Sequence, residues 1–323
     1  MYLSVISPVM HHTYVPPCLT IAQSDALTRI WSNTSGMKEG ACAHWDGDLK
    51  IIYELGLGMQ EVLLHLYKDR PSLSQFLEWA YSVRISTTAA TEETYSDTLS
   101  AADLEHWETN GFVVVRKAVQ GDMLTSAANA VWSYLRAKPD FPESWYQAHS
   151  GRSGMMLTLT QHPALWAVRR SMLIRRAFEQ LYGTRALYLV VDKVSFNPPE
   201  TPSYTFLGSN LHWDTSLTLP VPLRLQGLLY LTDTSAEDGA FHCVPGFHRQ
   251  LRPWLESLPP GSDPRALAPQ LLQPVPVPGH AGDLIIWHSA LPHCATPNRG
   301  RFPRLVQYLT YLPDGFEDRR AWR

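Results

Sequence analysis

The sequence predicts a mixed α+β protein in which a two-sheet antiparallel jelly roll with flanking helices follows a helical N-terminal extension. Three observations predict it. From Leu187 onward, runs rich in leucine, β-branched and aromatic residues (LYLVVDKVSF, LQGLLYLT, GDLIIWH, RLVQYLTYL) are punctuated by Pro and Gly, as short strands joined by turns would be. Between these runs no helical period is legible, which favours long loops and a barrel or jelly roll. Ahead of Ser86, by contrast, apolar residues recur at spacings of three and four, the period of amphipathic helices.

Taken in chain order, Leu63, Leu64, Leu66 and Tyr67, then Leu73, Phe76, Leu77 and Tyr81, predict two helices separated at Arg70-Pro71, because proline cannot continue a helix. The polar, Ser/Thr-rich segment 86–100 reads as an exposed connection and sets a domain boundary. Residues 1–97 are thus expected to form a helical extension, a packing, capping or dimerisation element with no chemistry-bearing motif. Residues 98–323 form the main domain. Ser100 with Asp103 predicts a capped helix that Gly111 ends, before the strand FVVV and a second helix over 121–137. SGRSGMM at 150–156 is expected to be a loop that can act as a lid, and Arg169, Arg170, Arg175 and Arg176 a solvated helix face.

Composition narrows the function. With 323 residues, 45% hydrophobic and 18% charged, the chain has the make-up of an ordinary globular protein and length enough for a sizeable core. Its 27 basic and 30 acidic side chains balance to −3 without runs of either sign, so no nucleic-acid footprint or polybasic membrane patch is present. The expected partner is a small molecule, free or carrier-bound. The four cysteines, Cys18, Cys42, Cys243 and Cys294, form no CxxC pair. The longest apolar runs fall far short of the ~20 residues that span a bilayer. Both features fit a cytoplasmic protein. His11 and His12 are paired but have no partner at ligand spacing.

The chemistry concentrates near His212 and Asp214 in LHWDTSL. On an extended strand residues i and i+2 share a face, so an imidazole and a carboxylate can converge on one ion while Trp213 points away. GDLIIWHSALPHCATPNRGRFPRLVQYLTYL adds His288 and His293 as candidates for a third ligand. Two imidazoles and one carboxylate on one side of an ion leave open positions, as non-haem iron oxygenases require. Arg304 lies eleven residues after His293, and Arg299 eleven after His288. A guanidinium returned to the site by the turn can hold a carboxylate through paired hydrogen bonds.

From about residue 98 to 312 the chain resembles the phytanoyl-CoA dioxygenase-like family of Fe(II)/2-oxoglutarate-dependent oxygenases. LSAADLEHWETNGFVVVRKAV is similar to the family's leading helix and strand, HWD to its first two ligands, LLYLTDTSAEDGAFHCVPGFHR to the strand and turn that follow, and GDLIIWHSALPHCATPN…R to its third ligand and cosubstrate arginine. The resemblance implies a double-stranded β-helix, cupin-like core, with Fe(II) held by His212, Asp214 and His293. It implies 2-oxoglutarate and O2 as cosubstrates, with Arg304 pairing the distal carboxylate and Tyr230 lining the cosubstrate. His293 is preferred because it precedes the Pro-Asn turn, as in relatives. Asn197 and the Cys-Ala-Thr after His293 replace a lysine and a Gly-Ser common among relatives. Retention of Asp214 implies hydroxylation over halogenation, with release of succinate and CO2. The implied substrate is a small metabolite, an amino acid or a secondary-metabolite intermediate. The competing readings are a zinc hydrolase, which leaves Arg304 without a role, and a non-catalytic binding protein on the same barrel.

Overall fold

The structure, a computed structural model, describes residues 19–34, 44–83, 97–206 and 208–322. His11, His12, Cys18, Cys42 and most of the expected connection lie outside the described residues. The chain divides into two compact units, Met1–Thr87 and Thr88–Arg323. Thr98 and Leu99 belong to the second, because their N–H groups both donate to Oε1 of Gln180 at 2.8 Å.

The described residues of the first unit form four helices, α1 (Ile21–Thr34), α2 (Trp45–Glu54), α3 (Met59–Asp69) and α4 (Leu73–Val83). Arg70 ends α3 in the left-handed region (φ 47°), and Pro71 then prevents its continuation. The apolar stripes close on one another through Leu27, Ile30, Ile52, Leu66, Phe76 and Leu77, which are almost fully buried.

In the second unit, α5 (Ala101–Asn110) starts at a reciprocal Ser100–Asp103 capping box and stops at Gly111, φ 74°. There follow β1 (Phe112–Val115), α6 (Gly121–Leu135), a hairpin of β2 (Arg152–Ser153) and β3 (Met156–Leu157), then α7 (Pro163–Arg169), α8 (Met172–Tyr182), β4 (Leu187–Val190) and β5 (Val194–Asn197). The rest comprises β6 (Leu225–Tyr230), β7 (Phe241–Cys243), α9 (Phe247–Ser257), α10 (Pro264–Leu271), β8 (Val275–Val277), β9 (Leu284–His288), β10 (His293–Ala295), β11 (Arg304–Tyr308) and β12 (Thr310–Pro313).

A seven-stranded sheet runs β1-β9-β6-β11-β5-β3-β2, and a three-stranded sheet β10-β7-β8, with antiparallel pairing throughout. Both faces of the larger sheet are buried, which explains why LQGLLYLT reads as one apolar run. One face, with Val113, Leu229, Ile286 and Leu305, packs on helical residues such as Val131 and Phe178. The other, with Leu228, Tyr230, Ile285 and Val306, meets Phe241, Cys243 and Val277 of the smaller sheet. The site lies at the edge of this second core.

Three expectations need correction. Helices α9 and α10 interrupt the strand-rich half, where none was expected. Pro253 and Pro269 inside them hide the period, yet Phe247, Leu251 and Leu255 of α9 recur every four residues and are buried. SGRSGMM is no free loop: its hairpin joins the large sheet through β3 and β5. The arginine cluster is no solvated face either. Arg169 is fully buried and donates to the carbonyls of Thr160 and Asp192, while Arg175 and Arg176 both pair with Glu179.

Candidate metal centre

The three proposed ligands come together. His212 and His293 face each other as an isolated antiparallel bridge, each N–H donating to the other's carbonyl at 3.0 and 2.9 Å. Directly opposed residues share a face, so the rings lie with centroids 4.6 Å apart. The extended strand expected over 212–214 is absent: beyond the bridge the chain is irregular, and Asp214 nonetheless brings its carboxylate to the two rings. Trp213 turns away as expected, buried against Phe247 and Trp254 with its indole N–H on the Ala290 carbonyl at 2.9 Å.

The protons decide what this cluster can do. His212 Nδ1 meets the Asn210 carbonyl at 2.7 Å, and His293 Nδ1 meets that of Leu291 at 3.1 Å. A carbonyl only accepts, so both protons sit on Nδ1 and each Nε2 keeps its lone pair. Those two lone pairs lie 3.6 and 3.2 Å from the Asp214 oxygens. One ligand atom from each residue falls within 4.8 Å of the others. Acceptors packed against acceptors repel unless a cation or proton lies among them. The residues therefore fit a divalent metal, and their outer bonds are those that orient metal-ligating histidines.

Charge points the same way. Burial works to raise the pKa of Asp214, but donors that include the Gln226 amide, 2.8 Å from Oδ2, outweigh it and hold the carboxyl well below the usual range. Burial lowers that of His212. At neutral pH both stand deprotonated for a metal.

The triad opens on a cavity of about 290 Å³, whose wall includes Met155, Leu228, Phe241 and Trp287 as apolar members and Arg304 and Tyr308 as polar ones. Arg304 opens β11 opposite Asn197, and the turn before it is tied by Asn298, whose amide donates to the carbonyls of Asn197 and Phe302. The Arg304 side chain is buried. It donates to the Gly239 carbonyl, lies 3.4 Å from the Met155 sulfur, and leaves Nε without a partner. Gly239, φ 73°, has no substitute: a Cβ would fall 2.6 Å from the Asn197 amide. Among the described residues no carboxylate pairs with Arg304. A buried guanidinium without a counter-ion is costly, and a bound carboxylate would relieve it.

Tyr230 requires a correction. It shares the inward face of β6 with Gln226 and Leu228, but its hydroxyl donates to the Val277 carbonyl and accepts from the Phe241 N–H, both at 2.9 Å. No hydrogen remains for a bound carboxylate, and Tyr230 is absent from the cavity wall. His288 is also elsewhere. Its Nδ1 accepts from Ala290 N, and its ring lies over Trp107 and near His248. Arg299 is exposed and pairs loosely with Glu200 at 3.8 Å.

Sequence reading missed Gln226, Asp192 and Tyr308, which also line the cavity. Strand alternation could have found Tyr308, four residues beyond Arg304 on the same face, and Gln226, four before Tyr230. Burial raises the pKa of both Asp192 and Tyr308. Cys294 lines the cavity beside His293, and burial pushes its thiol up to about 11, so it stays neutral.

Residues 107–306 match the model of the phytanoyl-CoA dioxygenase (PhyH) family. A Dictyostelium discoideum protein named "Putative phytanoyl-CoA dioxygenase" is 25% identical over 118 residues, which cover 34% of this chain and 33% of that protein. The aligned stretch thus spans one third of that relative. Among solved structures, the non-haem α-ketoglutarate-dependent carbocyclase SnoK from nogalamycin biosynthesis superposes with a TM-score of 0.50 at 20% identity, over 67% of this chain and 84% of SnoK. EctD from S. alaskensis with bound Fe gives 0.50 at 17%, over 69% and 79%. At these identities the likeness is one of fold.

Proposed function

Because the chain belongs to the phytanoyl-CoA dioxygenase family, we propose that it is an Fe(II)/2-oxoglutarate-dependent dioxygenase that hydroxylates a C–H bond of a small metabolite. One observation carries the reading: three lone-pair ligand atoms converge in the same cavity as a buried arginine that lacks a counter-ion. That combination suits a ferrous ion with a dicarboxylate, and it gives Arg304 a task that a zinc hydrolase would not.

When bound, the ferrous ion and 2-oxoglutarate supply O2-dependent oxidation of a C–H bond with release of succinate and CO2. The protein's residues organise that chemistry. His212, Asp214 and His293 hold the metal, the Asn210 and Leu291 carbonyls keep each Nε2 free, and Gln226 orients the Asp214 carboxylate. Arg304 takes the far carboxylate of the cosubstrate. Leu228, Phe241 and Trp287 exclude water, which strengthens every charge interaction inside. The proposed substrate is an amino acid or secondary-metabolite intermediate, free or carrier-bound. No described helix is long and apolar enough to cross a membrane, and we place the protein in the cytoplasm.

The test is a metabolite screen with Fe(II) and 2-oxoglutarate, scored by succinate release, O2 uptake and a mass gain of one oxygen in the product. Turnover supported by zinc alone, or unaffected by omission of 2-oxoglutarate, would refute the reading.

A further inference from the structure

Asp214 lies outside any strand, on the irregular stretch that follows His212. No sheet ladder holds its backbone, and among the described residues the carbonyls of Trp213 and Thr215 receive no backbone N–H. Buried carbonyls need donors, and here guanidinium groups supply them. Arg265 donates through Nη1 to the Trp213 carbonyl at 2.8 Å and through Nη2 to the Thr215 carbonyl at 2.7 Å. One rigid planar fork thus straddles Asp214, gripping the residue before it and the residue after it.

Both ends of that fork are secured. Arg265 sits in the first turn of α10, where the Asp263 carboxylate accepts from its N–H at 2.9 Å. Its guanidinium lies under the Trp322 ring, 4.6 Å from the centroid. Further along the stretch, Arg320 donates to the carbonyls of Ser216 and Thr218 and to the Thr215 hydroxyl, and is itself held by Asp318. The Ser216 and Thr218 hydroxyls return bonds to the Ala321 carbonyl. Two segments remote in sequence, α10 and residues 318–322, therefore hold the backbone that carries one metal ligand.

We propose that Arg265 is a positioning residue for the metal centre: by bridging the carbonyls on either side of Asp214 it sets the direction of that carboxylate before any metal arrives, with Arg320 extending the grip. The inference rests on the metal-binding role proposed above for His212, Asp214 and His293. The planar fork is essential, since an ammonium cannot span two carbonyls in this way.

Co(II), a spectroscopic stand-in for Fe(II), tests it on the full chain freed of metal, with thermal unfolding reporting the fold. Arg265→Met should weaken Co(II) binding by ~10–100-fold, the usual effect of losing an outer support of a metal site, and should alter the visible absorption of the saturated Co(II) protein. Arg265→Lys should restore little of either. A folded Arg265→Met protein with the parent's affinity and spectrum overturns the proposal, and so does a fully restored Arg265→Lys protein, which would make charge alone sufficient. Should Arg265→Met not fold, Arg320→Met and Trp322→Ala carry the test: weaker Co(II) binding supports the grip, and parental binding in both overturns it. If the parent binds no Co(II), or Asp214→Ala binds it equally well, the metal reading itself falls and takes the proposal with it.

Discussion

Two histidine pairs lie in the same domain, and only one is built for a metal. His212 and His293 stand with ring centroids 4.6 Å apart, His248 and His288 with theirs 5.6 Å apart. In the first pair both Nδ1 atoms face carbonyl acceptors, and a carboxylate stands beside the two bare Nε2 atoms. In the second, His288 Nδ1 accepts from a backbone N–H, His248 Nε2 faces the Glu108 carbonyl, and His248 Nδ1 is buried without a partner. No carboxylate joins them in a metal-holding group among the described residues. Burial lowers both pKa values, that of His288 to about 4, so this pair stays neutral and packs. Spacing of imidazoles does not distinguish a metal site from a core; what the other ring nitrogen touches does.

The largest expected contrast comes from removing ligands. Asp214→Ala or His293→Ala should lower Fe(II) binding and 2-oxoglutarate turnover by at least ~100-fold, whereas His288→Gln should leave metal stoichiometry intact. Metal analysis by mass spectrometry separates them, and a His288→Gln protein that lost its iron would break the contrast. Next in size, Arg304→Met removes a charge-assisted bond worth ~1.5–3 kcal/mol, so the KM for 2-oxoglutarate should rise by roughly 10–100-fold with metal retained. Steady-state kinetics read it.

The neutral pair predicts a pH effect of its own. His288 binds protons less readily folded than at its ordinary value of 6.5, so its neutral state stabilises the fold above that pH, and this contribution is lost as the pH falls toward about 4. Urea unfolding across that window should show a stability loss of roughly 1–3 kcal/mol that His288→Gln reduces. An unchanged slope in the variant would assign the loss to other groups. The smallest effect on cosubstrate use is expected at Tyr230→Phe, which leaves the Val277 carbonyl and Phe241 N–H without their partner. It should cost about 1–3 kcal/mol of stability and leave the KM for 2-oxoglutarate unchanged; a raised KM would return Tyr230 to the cosubstrate.

Local chemistry was legible along the chain. The Ser100–Asp103 box, the Arg70-Pro71 break and the Gly111 stop depend on neighbours within a few residues, and each can be read from side-chain type, whereas the strand expected to carry His212 and Asp214 is an isolated bridge followed by irregular chain. The choice between His288 and His293 came from a resemblance, because one ends the strand β9 and the other lies only five residues beyond it. Register with His212 is what brings His293 to the triad. Only the tertiary structure decided that Tyr230 is bonded away from the cavity while Tyr308 lines it, that Arg169 is buried rather than solvated, and that Arg265 reaches back over 50 residues to grip the stretch bearing Asp214. Hydrogen-bond partners distant in sequence leave no period or spacing behind. They exist once the strands are in register and the protons have found their acceptors.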